Sequence, residues 1–183
     1  MNTDLVPRTK TNTLKQFSVL HEQIQALDLE AIKFKLVFDS HGAPWSVEKV
    51  TKIELLYKRF LVLVGKHPDK HIVPFSEDVD TFWHCHILDT GKYAQDCMNI
   101  FGRFIHHFPY LGLRGEEDLQ FAQKSFAETC SLYEQEFCVS LASAISLDVG
   151  CTNCAPTPSC SGDPSPTIDQ KRPSLKEHLA QLH

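Results

Sequence analysis

Between Asp78 and Tyr110 the chain crowds imidazole, carboxylate and thiol groups among large apolar side chains. The groups are Asp80, His84, Cys85, His86, Asp89, Asp96, Cys97, His106 and His107, and the apolar neighbours include Phe82, Trp83, Tyr93 and Phe108. Neutral imidazole with carboxylate, and a position left open, suits Zn²⁺ or non-haem Fe²⁺. The same residue types also build a polar core network in which each buried group satisfies another.

Spacing limits which groups can act together. If the run is helical, His84 and His86 point ~200° apart and do not chelate one ion. Asp80 and His84, four apart, share a face, and His86 shares one with Asp89 and Thr90. Tyr93, Asp96 and Cys97 continue the His86 side. His106 and His107 diverge by ~100° on a helix, so one of them at most faces a given site.

The sharp reading is therefore a metal site of Asp80 and His84, completed by His107 or His106 where the chain returns. Its open position would take a water nucleophile or O₂. A version centred on His86 with Cys97 would favour Zn²⁺. The competing reading is a non-catalytic interaction domain, whose Asp–His pairs are structural and whose tail meets a partner. The aromatic residues at helical spacing read as core before ligand pocket. Arg103 and Arg114 read as surface or salt-bridge residues before anion ligands. Cys97 as a nucleophile needs a base that nothing in the sequence places.

These residues must be carried by helices. Leu14, Phe17, Leu20, Ile24 and Leu27 recur at helical spacing behind Thr13, a candidate cap, and a second helix restarts near Leu29. Residues 39–44 are a break. Ser46 caps a broadly apolar helix that is expected to stop near Gly65. Residues 66–71 are expected to form an exposed turn with His67 and His71 solvated, and His41 also falls in a turn. Ser76 caps the central helix, expected to reach about His106 with one break at Asp89-Thr90-Gly91 and Thr90 capping the second half. A last long helix spans about Glu116–Cys138. No sustained alternation of period two appears, so the fold reads as all-α with about four to six helices. The expected limits are a flexible 1–11, a helical domain over 12–147 and an irregular tail over 148–183.

With 183 residues and 42% hydrophobic residues, the chain has enough for one domain with a sizeable core. The formal charge of −5 gives no electrostatic footprint for nucleic acid. No apolar run approaches the ~18 residues of a membrane span. Residues 1–8 hold no apolar signal region, so the expected compartment is the cytoplasm.

Seven cysteines do not suggest a disulfide framework there. Cys151, Cys154 and Cys160 lie in the tail among prolines, with His178 or His183 available as a fourth ligand. A modifiable, partner-binding tail is the alternative, with a short helix near Ser174–Leu179. A thiol-redox role for Cys151 and Cys154 lacks the strand–CxxC–helix context.

Trp83-His84-Cys85-His86-Ile87-Leu88-Asp89-Thr90, then His106-His107-Phe108-Pro109-Tyr110 and Arg114-Gly115-Glu116-Glu117-Asp118, resemble the glycine-rich domain-containing protein-like family. Tyr57-Lys58-Arg59-Phe60-Leu61 and Ile72-Val73-Pro74 fit as well, and the resemblance covers roughly residues 27–138. It carries over no catalytic residues. Members often end in a Gly- and Cys-rich tail. Here the cysteines remain but proline, serine and threonine replace most of the glycine, so a role for a glycine-rich tail does not transfer.

Overall fold

Two serines set the frame. Ser46 Oγ accepts from the Lys49 N–H at 3.1 Å, and Ser76 Oγ accepts from the Val79 N–H at 3.3 Å. Each satisfies one of the amide groups that a helix start leaves unpaired. In the computed structural model, residues 8–38 and 44–146 are described. The proposed turn at His41, residues 1–7, the cysteines 151, 154 and 160 and the short helix near residue 174 lie outside the described residues.

Among the described residues seven helices follow one another: α1 (Arg8–Gln25), α2 (Glu30–Phe38), α3 (Val47–Lys66), α4 (Glu77–Leu88), α5 (Thr90–Phe101), α6 (Glu116–Phe137) and α7 (Leu141–Ser146). Among the described residues there is no strand, and the fold is all-α. The count exceeds six because the six-residue α7 follows the last long helix. It is tied back to α3 by Lys52 Nζ, which donates to the Ile145 carbonyl at 2.8 Å. No helix among the described residues is long and apolar enough to cross a membrane.

The core gathers on α3. Tyr57, Phe60 and Leu63 on α3, Val79, Phe82 and Trp83 on α4, Tyr93 on α5 and Tyr133 on α6 are nearly or fully excluded from solvent. The Phe60 ring lies 5.0 Å from Trp83 and 6.1 Å from Phe75. Phe82 and Trp83 are thus core, as their spacing suggests. Phe104 is partly exposed.

Two boundaries differ from the sequence reading. α1 already starts at Arg8, ahead of Thr13. α3 ends at Lys66, beside Gly65 as expected, but Gly65 is not the left-handed stop. Gly65 is there for space: a Cβ would come 2.8 Å from Leu20 Cδ2 and 3.0 Å from Phe101 Cε1. α5 ends at Phe101, well before His106, because Gly102 adopts the left-handed conformation that closes a helix. The break between α4 and α5 falls where expected. The backbone of Asp89 makes it (φ −82°, ψ 69°), while Thr90 is already helical and caps nothing.

Residues 71–75 run as a buried segment outside any helix. His71 is therefore buried, edge-on to Phe121 at 5.0 Å, and is not the solvated residue expected of a turn. His67 is half-buried. A segment without regular structure inside a core must find partners for its amides. Thr129 Oγ accepts from the Val73 N–H at 3.2 Å and itself donates to the Ser125 carbonyl at 2.8 Å. Thr129→Val keeps the shape but strands that amide, with an expected loss of ~1–3 kcal/mol by urea denaturation. A loss below ~0.5 kcal/mol would show that the Val73 amide finds another partner.

Candidate metal centre

Helix α4 presents Asp80 and His84 one turn apart. His107 approaches them from the non-helical segment after α5. His107 Nε2 lies 2.9 Å from His84 Nε2 and 3.1 Å from Asp80 Oδ1, and His84 Nε2 lies 3.5 Å from Asp80 Oδ2. Donor atoms of all three residues fall within 4.8 Å of one another, so they form a group able to hold a metal ion. Asp80 and His107 are shielded, at 13% and 8% side-chain exposure, while His84 is 47% exposed. The group therefore has a closed side against the core and an open side toward solvent.

Proton counting makes this arrangement unusual. A neutral imidazole Nε2 carries either one hydrogen or one lone pair. His107 Nε2 faces both a carboxylate oxygen and a second imidazole nitrogen, and one hydrogen cannot serve both. Partial burial pushes His84 below its ordinary value; the Asp80 carboxylate opposes this and His107 assists it. A neutral His84 offers its Nε2 lone pair to the same small volume.

The sequence reading left His107 and His106 as alternatives, and the two part here. His106 is exposed, with its ring 5.0 Å from Phe104. Neither lies on a helix, and only His107 turns toward α4.

His86 faces away from the group. Its Nδ1 is 2.9 Å from Tyr57 Oη on α3, and its Nε2 is 2.9 Å from Asp96 Oδ2 on α5. Lys92 Nζ donates to the same carboxylate oxygen at 2.8 Å. With the ring neutral, the carboxylate accepts from Nε2–H and Nδ1 accepts from the Tyr57 hydroxyl. Burial pushes His86 below its ordinary value, against the pull of Asp96. Both ring nitrogens are thus engaged by protein groups. The expected partners Asp89 and Thr90 do not serve, since α4 ends at Leu88.

A His86–Cys97 metal site is not assembled. Cys97 is buried, and burial raises its thiol pKa despite the lowering influence of the Ile105 backbone and Tyr93. That also removes it as a nucleophile. Arg114 Nη2 donates to Asp118 Oδ1 at 2.6 Å, a salt bridge at the start of α6.

Sequence reasoning missed Tyr57 as the partner of His86. Their separation of 29 residues leaves no local signal. It also missed the bond from Trp83 Nε1–H to Tyr93 Oη, at 2.9 Å across the α4–α5 break.

The fold and the group define an all-α protein with a two-histidine, one-carboxylate cluster at the side of its central helix. The chain belongs to the UCP032817-like family, whose match spans residues 15–136 and so contains the whole cluster. No curated protein and no solved structure matches it.

Proposed function

We propose that Asp80, His84 and His107 bind a divalent metal ion, Zn²⁺ or Fe²⁺, at an open three-donor site. The observation that carries this reading is the convergence of three ligand groups on one point, with the two imidazole Nε2 atoms 2.9 Å apart and both beside the Asp80 carboxylate. Ligands held at ~2.0–2.2 Å from one ion lie about 3.3–3.6 Å apart around tetrahedral zinc and about 2.8–3.1 Å apart around an octahedral ion. The separations of 2.9 Å between the imidazoles, and of 3.1 and 3.5 Å from them to the two Asp80 oxygens, fall in the same range. Two imidazoles and a carboxylate suit either metal, and the solvent side at His84 leaves a coordination position for water or a small ligand. Such an ion would act as a Lewis acid on that ligand, and the metalloenzyme reading rests on this open position.

His86 supports a different role for the other half of the histidine run. Its hydrogen bonds are complete within the protein, so it belongs to the structural polar core. The two readings of the sequence therefore divide between two sides of α4.

The test is thermal unfolding during titration with Zn²⁺ and, anaerobically, Fe²⁺. At free metal one hundred times the dissociation constant, the folded state should gain about 2.7 kcal/mol. Asp80→Ala should abolish the gain. No shift with either metal, or an equal shift in Asp80→Ala, would overturn the proposal; the second result would place binding elsewhere, for example at the tail cysteines.

A further inference from the structure

We infer that Tyr93 is a positioning residue for the metal centre, setting the distance between His107 and the helix that carries Asp80 and His84. The inference rests on the metal-binding reading above. Two of the three donors are fixed by α4, one turn apart. The third comes from a segment without regular structure, so something else must hold it. Tyr93 Oη accepts from Trp83 Nε1–H at 2.9 Å and donates to the Ile105 carbonyl at 2.7 Å. Trp83 adjoins His84 in sequence, and Ile105 lies two residues before His107. One buried oxygen thus clamps α4 to the segment bearing His107. The Trp83 ring completes the arrangement, packed on the His107 ring at 4.4 Å between centroids. Trp83, Tyr93 and Ile105 are all at most 2% exposed, so water cannot replace the clamp without opening the core.

Tyr93→Phe removes one oxygen and retains the ring. Partners of this kind, outside the ligand set, commonly govern metal affinity by 10–100-fold. The control is Tyr57→Phe, which removes an equally buried hydroxyl from the opposite side of α4, where it bonds His86.

Co²⁺ binding is read by its visible absorption in parent, Tyr93→Phe and Tyr57→Phe proteins, with circular dichroism confirming the fold. The expected result is a loss of affinity of at least about tenfold and a changed Co²⁺ spectrum in Tyr93→Phe, with the parent spectrum and affinity kept in Tyr57→Phe. Parent-like binding by Tyr93→Phe overturns the inference while leaving the metal site standing. Equal losses in both variants overturn it too, since they would report general loosening. A parent that binds no Co²⁺ overturns the metal reading and this inference with it. Should Tyr93→Phe fail to fold, Trp83→Phe removes the other half of the clamp. Parent-like Co²⁺ binding there would count against the inference, and a loss of about tenfold or more would support it.

Discussion

Replacing His86 with alanine is expected to cost roughly 3–5 kcal/mol of folding stability. The imidazole is 1% exposed and joins three helices, through Tyr57 on α3 and Asp96 on α5. Its loss leaves a void and strands the Tyr57 hydroxyl, which is itself fully buried. Asp96 keeps Lys92, which limits the damage on that side. Urea denaturation checks this, and a loss under ~1 kcal/mol would mean that the network contributes little.

The same residue makes the fold sensitive to acid. Burial lowers the pKa of His86, and His67 and His84 shift the same way for the same first cause. The unfolded chain therefore binds more protons than the folded one below the ordinary histidine value of about 6.5. This contribution is whole above about pH 6.5 and is lost as the pH falls through the folded values. Metal-free protein should thus lose stability progressively below about pH 6.5, and the His86→Ala profile should be flatter. A metal-free profile that is level from pH 7 to 5 would contradict the neutral assignment.

Trp83→Ala is expected to cost about 3–5 kcal/mol, typical of a large aromatic core residue. Trp83 is fully buried, packs against Phe60 and His107, and gives its indole N–H to Tyr93. Unlike a Phe60 variant, this one should lose the proposed metal binding even under conditions where it remains folded, because the His107 ring loses its support. Calorimetry together with metal content separates the two effects. Full metal occupancy in folded Trp83→Ala would show that His107 is held by other means.

Local chemistry made much of this legible beforehand. Ser46 and Ser76 cap the helices they were expected to cap, since a serine before an apolar helical run has a direct amide to satisfy. Four-residue spacing placed Asp80 with His84, and a two-residue spacing on a helix separated His84 from His86. The choice between His106 and His107 was not legible. It depends on Gly102 ending α5 early and on a segment whose path is set by distant contacts.

The burial of His71 was hidden for a similar reason. Its sequence neighbours suggest a turn, but residues 71–75 are drawn into the core, where Thr129 receives the Val73 amide. Gly65 looked like a helix stop, yet its role is close packing with Leu20 and Phe101. In each case the deciding partner lies far along the chain, where periodicity and capping rules carry no information.

The most direct test of the central claim is elemental analysis by plasma mass spectrometry of untagged protein, beside a His84→Ala/His107→Ala double variant. The account predicts near-stoichiometric zinc or iron in the parent and its loss in the folded double variant. Metal absent from both, or retained equally by both, would contradict it and return Asp80, His84 and His107 to the structural polar groups of the fold.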